Sequence, residues 1–244
     1  MNRIFLWLLV VLGSAFGGWM ASDWRQTPIF AVCALLFLLL GAAVSAYLSV
    51  TSYGLRTALK TLAILSVFAY LIEGIGVNTG FPYGSFVYLD GLGPLLVGVP
   101  LLLPLAWVPL MLAAWQIAAR VTNNVASTIF LSAWILLAID LVLDPGAVAL
   151  GLWKYQAGGM YHDVPWTNFM GWILSSSLGA WLTTSSLRIT KGSLFYWCLA
   201  FVSGLGFWSA VSFRVGYMTP ACIGGLLLIG VSIFVWRDEN TRIC

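Results

Sequence analysis

Long apolar runs separated by short polar stretches set the pattern of this chain. Eight runs have about the 20 residues that a helix needs to cross a bilayer: 4–22, 28–50, 58–77, 95–119, 124–143, 168–187, 193–212 and 218–236. Connections are short, no repeat of fixed period is present, and no low-complexity linker divides the chain. The pattern predicts one integral membrane domain over 1–244, an all-α polytopic bundle of about eight transmembrane helices. The first run also carries Ala15-Phe16-Gly17, small residues of the type found at signal-peptide cleavage sites. Cleavage there is the alternative, and it leaves seven spans.

Within the runs, Gly13 and Gly17 form a small-xxx-small pair that predicts close helix packing. Pro100, Pro104 and Pro109 fall in the fourth run, where each removes a backbone donor and favours a bend. Between Asn78 and Pro94, Gly80, Pro82, Gly84, Gly91 and Gly93 predict a turn-rich loop or a short re-entrant segment.

Composition narrows the class. Hydrophobic residues make up 61% and charged residues 8%, and the mean hydropathy is +0.98, which leaves a soluble domain too little polar surface. The net charge of +3 is scattered and gives no nucleic-acid footprint. Sorted by the predicted spans, Arg3, Arg56, Lys60, Arg120, Arg188, Lys191, Arg237 and Arg242 fall on one side, and Arg25, Lys154 and Arg214 on the other. Basic residues concentrate on the cytoplasmic side, so both termini are expected in the cytoplasm and the protein in the cell membrane. Cys33, Cys198, Cys222 and Cys244 are widely spaced and predict packing residues rather than disulfides or a metal site.

Against this background the carboxylates stand out. Glu73 opens Glu73-Gly74-Ile75-Gly76-Val77, and Asp140 and Asp144 frame Asp140-Leu141-Val142-Leu143-Asp144-Pro145. Ionisable side chains in a span are expensive and mark function. Asp140 and Asp144 share a helix face if the helix persists to Pro145. A third polar stretch holds Trp153-Lys154-Tyr155, then Tyr161-His162-Asp163 and Asn168. The predicted topology brings Glu73, Asp140, Asp144 and Asn168 to the extracytoplasmic interface. Tyr83, Tyr88, Trp153, Tyr161 and Trp172 are candidates to line the same site. A carboxyl in apolar surroundings keeps its proton, so Glu73 or Asp140 is expected to act as a general acid. Asp144 and Asn168, nearer solvent, are expected to position water. A protonated alkene becomes a carbocation, which aromatic faces stabilise. His162 is the only histidine, so no multi-histidine metal site is available within one chain. It reads as an interfacial residue or a proton shuttle, and Lys154 and Arg214 as interface cations or partners of a carboxylate.

These stretches resemble a known family, the membrane-bound carotenoid hydratases of the γ-carotene 1′-hydroxylase and bisanhydrobacterioruberin hydratase type. The matching residues are Glu73-Gly74-Ile75-Gly76-Val77, Thr79-Gly80, Pro82-Tyr83-Gly84, Val99-Pro100, Trp107, Asp144-Pro145, Trp153, Tyr161, Val164-Pro165, Asn168-Phe169 and Gly171-Trp172, so the resemblance covers about 70–172. It implies addition of water across the terminal double bond of an acyclic carotenoid end group, with no redox cofactor. The implied partners are a carotenoid or other polyisoprenoid lipid, water and the bilayer. Phe86 replaces an expected second tyrosine, Asp163 an expected glycine, and Tyr155 a common tryptophan; these departures bear on substrate identity. A membrane carotenoid cyclase would use the same cation and quench it internally. A prenyltransferase would need a second acidic cluster and more basic residues. A proton-coupled transporter or lipid-binding scaffold would need only the buried carboxylates, and no inverted repeat supports transport.

Overall fold

The computed structural model describes residues 2–25, 27–89, 92–188 and 193–241. Among these, long helices make an all-α membrane bundle: α1 (Arg3–Trp24), α2 (Pro28–Tyr53), α3 (Leu55–Thr79), α4 (Leu103–Val121), α5 (Val125–Ala149), α6 (Trp166–Ser186), α7 (Leu194–Trp197), α8 (Leu199–Arg214) and α9 (Met218–Asn240). Six of them are long and apolar enough to span a bilayer: α1 to α5 and α9. The sixth predicted run is the 21-residue α6, whose buried Asn168, Ser175, Ser176 and Thr183 lower its hydropathy. The seventh is broken at Cys198, which separates the single turn of α7 from the 16-residue α8. Local chemistry sets several starts. Thr27 accepts a hydrogen bond from Phe30 N ahead of Pro28, and Asn124 accepts one from Ser127 N, the usual use of a short polar side chain at an N-cap.

α4 runs through the centre. Every residue from Trp107 to Ala119 is buried, as expected for a helix that is apolar on all sides. In its spanning window 72% of residues are buried, against 6% in α2, which faces outward. Pro109 alone lies inside α4. Pro104 sits in its first turn, where a proline costs no hydrogen bond, and Pro100 lies outside the helix. The fourth run therefore starts as a helix at Leu103 rather than at 95.

Close packing of α1 involves different residues from the predicted pair. Gly13 has open space beside it and Gly17 meets only the Phe207 ring at 3.9 Å. Gly18, one residue on, lies against the Phe207 backbone, and Ser14 lies against Gly206, where a Cβ would be 2.7 Å from Ser14 Oγ. The small-xxx-small face is Ser14/Gly18, and it joins α1 to α8. Of the cysteines, Cys198 is buried, whereas Cys33 and Cys222 are exposed on the bundle surface. Cys244, Gly91, Lys191 and Arg242 lie outside the described residues.

One end of the bundle is tied by Arg3 to Glu239 (2.5 Å) and by Arg120 to Asp238 (3.0 Å), with Ser193 donating to Glu239 at 2.7 Å. The first and last helices thus have their termini on the same side. At the opposite end the interhelix segments are structured. β1 (Phe86–Tyr88) and β4 (Trp153–Tyr155) pair antiparallel, with Phe86 opposite Tyr155 and Tyr88 opposite Trp153. β2 (Leu95–Leu96) and β3 (Val99–Pro100) form a small hairpin, turned by Val97 and Gly98 at φ 53° and 79°. Tyr70 on α3 donates to the carbonyls of Leu96 (2.7 Å) and Val99 (3.1 Å), so the hairpin lies along the last turns of α3. This hairpin occupies the start of the predicted fourth run, while the described part of 78–94 is mainly loop and β1.

Candidate active site

The carboxyl groups converge at the strand-bearing end. α3 supplies Glu73 in its last two turns, and α5 supplies Asp140 and Asp144 one turn apart on a common face. α6 supplies Asn168 in its first turn. Asp140, Asp144 and Asn168 are 0%, 2% and 2% exposed, and Glu73 is half-buried. The Asn168 side-chain amide donates to Asp140 Oδ2 at 3.1 Å and to Asp144 Oδ2. Tyr155 donates its hydroxyl to the same Asp144 oxygen at 2.8 Å, and Tyr88 donates to Glu73 Oε1 at 2.5 Å. Asp140 and Asp144 are within hydrogen-bonding reach of each other, and Glu73 is close enough to act on both electrostatically. Asp140 Oδ1 is buried with no hydrogen-bond partner among the described residues, as is Trp153 Nε1.

No cation balances these groups among the described residues: the ion pairs Arg3–Glu239, Arg120–Asp238 and Arg214–Asp23 all lie elsewhere. Arg214 lies over the Trp19 ring as well as beside Asp23, and Lys154 is on the exposed face of the ribbon. Arg214 thus pairs with a carboxylate outside the cluster, and Lys154 stays an exposed cation. His162 stacks on Tyr217 with ring centres 4.2 Å apart and meets Tyr161 edge-on. Among the described residues no three His, Cys, Asp or Glu side chains gather as a metal site.

The wall is aromatic because strand alternation makes it so. In β1 and β4, Phe86, Tyr88, Trp153 and Tyr155 share one face, while Val87 and Lys154 point outward. Phe86 is the hub, with ring centres 6.2 Å from Tyr83, 5.5 Å from Tyr88 and 5.7 Å from Tyr155. Trp172 packs on the same cluster. Burial, reinforced by the charge of Asp144, pushes the Tyr155 hydroxyl well above the ordinary tyrosine range; burial and Glu73 do the same to Tyr88. Both hydroxyls therefore keep their protons and act as donors.

The glycines of the polar stretches have a steric reason. Tyr83 is held between α3 and α6: a Cβ at Gly76 would lie 2.7 Å from its ring, and one at Gly171 would lie 2.5 Å from the other edge. Its hydroxyl meets Ser175, one turn beyond Gly171 on the same face of α6. Pro145 stays inside α5, so the helix persists beyond Asp144. Proline has no N–H for the carbonyl four residues back, that of Leu141, and Tyr161 supplies the missing donor at 3.0 Å. Tyr161 thus reaches the site through the α5 backbone. Asp163, which stands where a glycine is expected, adopts φ 65° beside His162 at 52°, the left-handed region that glycine takes without cost.

Asp140, Asp144 and Asn168 meet directly with Glu73 nearby, and Tyr83, Tyr88, Trp153 and Trp172 surround them. Asp144 and Asn168 are buried rather than nearer solvent, and Glu73 is the most exposed of the four. Sequence reasoning missed Tyr155 as a site residue. Alternation across Trp153-Lys154-Tyr155 was the available signal, since it puts Tyr155 on the same side as Trp153.

Together, fold and site define a polytopic membrane protein with a carboxyl cluster, unaccompanied by a cation among the described residues, under an aromatic ribbon. The chain belongs to the carotenoid biosynthesis protein family, whose pattern matches residues 33–231. It is also 43% identical over 132 residues to the bisanhydrobacterioruberin hydratase of Haloarcula japonica, over 52% of this chain. The match spans 45% of that relative's length. No solved structure matches the chain.

Proposed function

We propose that this protein is a carotenoid hydratase that adds water across the terminal double bond of an acyclic end group to give a tertiary alcohol. The observation that carries this is the buried Asp140–Asp144–Asn168–Tyr155 constellation, which has no cation among the described residues and lies beside Glu73 and under aromatic rings. Neighbouring carboxyl groups with no cation between them share protons rather than all ionise. Asp140, whose Oδ1 has no partner among the described residues, donates its proton to the less substituted alkene carbon. The π bond breaks, a C–H bond forms, and a tertiary cation is left on the neighbouring carbon. Tyr83, Phe86 and Trp172 offer their faces to that cation, and Glu73, oriented by Tyr88, offers negative charge. Asp144 and Asn168 orient the water that forms the C–O bond, and Asp144 takes the proton this water releases. Transfer between the adjacent carboxyls returns the proton to Asp140. The cycle balances as one water added, with no oxidant and no reductant.

The basic residues support placing the site on the extracytoplasmic side. Arg3, Arg120 and Arg237 lie at the opposite end of the bundle, and that end is expected in the cytoplasm. A bilayer core of about 30 Å suits an extended polyene lying along the membrane normal with one end group in the site. Membranes containing the protein and an acyclic or singly cyclised carotenoid, incubated in isotopically heavy water, are expected to place the heavy oxygen in a tertiary hydroxyl. Label arriving from molecular oxygen overturns the proposal, and a product of unchanged mass points to cyclisation.

A further inference from the structure

We propose that Tyr155 is a positioning residue that fixes Asp144 as the water-activating base, and that the β1–β4 ribbon is the device that delivers it. This rests on the hydratase reading. Tyr155 is 5% exposed and lies outside α5, the helix that carries both aspartates. It reaches Asp144 from a strand whose register is set by pairing with β1. Asp144 Oδ2 accepts two donors, Tyr155 from the ribbon and Asn168 from α6. Two donors from different directions pin that oxygen and leave the other to turn toward water. Asp140 accepts from the Asn168 amide and lies within reach of Asp144, and among the described residues its Oδ1 has no donor. The two carboxyls are therefore made unequal, as acid and base roles require. The same face of the ribbon carries Tyr88 to Glu73, so one pairing register serves both carboxyl sites.

Tyr155→Phe keeps the ring and its contact with Phe86 while deleting the donor. A hydrogen bond to a charged group corresponds to roughly 10- to 100-fold, so kcat is expected to fall by about that factor with KM within about twofold. Tyr155→Trp, whose indole N–H can donate, is expected to retain more activity than Tyr155→Phe. Because the effect passes through Asp144, Tyr155→Phe added to Asp144→Asn should cost less than about twofold more, yet keep its full cost when added to Glu73→Gln. Equal losses in both backgrounds, or a change confined to KM, overturn the proposal. Infrared spectra of protein carrying isotope-labelled aspartate give a readout independent of turnover: the carboxyl bands should shift in Tyr155→Phe. If wild-type protein hydrates no carotenoid, the hydratase reading fails. A band shift then still supports the Tyr155–Asp144 contact, and unchanged bands overturn it.

Discussion

Adding one methyl group at Gly171 should disturb both stability and catalysis. In Gly171→Ala the new Cβ would lie 2.5 Å from Tyr83 Cδ1 and 2.9 Å from the Pro82 carbonyl oxygen, where ordinary contact begins at 3.4 Å. The shortfall is about 0.9 Å, and Tyr83 cannot withdraw because its other ring edge is already against Gly76. α6 must therefore move away from α3. Overpacking of this kind costs about 1–3 kcal/mol, or a fall in Tm of roughly 2–12 °C for a chain of this size. Asn168 lies one turn earlier on α6, so the same displacement lengthens its bonds to Asp140 and Asp144. A misplacement near 1 Å can cost on the order of 10²-fold in rate. Thermal unfolding in detergent, paired with pigment analysis from membranes at matched expression, measures both effects. Tyr83→Ala, which opens the space, should lessen the penalty when combined with Gly171→Ala. An unchanged Tm and unchanged hydration in Gly171→Ala would refute the proposed confinement of Tyr83 between the two helices.

Two further outcomes are expected. Asp140→Asn preserves size but removes the transferable proton, and its hydration rate should fall by about 10²–10⁴-fold; Glu73→Gln should fall by a smaller factor, because Glu73 stabilises charge rather than donating. Near-normal product from both variants, with protein levels equal to wild type, would rule out these roles. On α1, Gly18→Ala should lower the unfolding temperature while Gly17→Ala leaves it nearly unchanged, because only Gly18 lies against the Phe207 backbone. The reverse ranking in a detergent melt would show that α1 and α8 pack in another register.

Hydropathy located most of the spans, and the costly carboxylates marked the end at which Asp140, Asp144 and Asn168 meet beside Glu73. The rotation of α1 was not legible. Lipid is as apolar as a helix interface, so nothing in composition separates Gly13/Gly17 from Ser14/Gly18. The β1–β4 ribbon was hidden for another reason: three residues per strand are too few for an alternating pattern to declare itself, and its partners lie 69 positions apart at Phe86 and Tyr155. The Pro145 and Tyr161 pair appeared as two separate motif residues. Their relation emerges only when the Leu141 carbonyl is seen to need a donor.

The pairing of β1 with β4 also constrains how this region can change in length. Successive strand residues face opposite ways, so a shift of one position exchanges the two faces. A single-residue insertion or deletion in β4 that moved the register would bring Lys154 toward the carboxyls, opposite Phe86, in place of Tyr155. The cluster would then gain a cation and lose a donor in one event. Natural length variation around this ribbon is therefore expected either in loops that leave the pairing untouched or in steps of two residues.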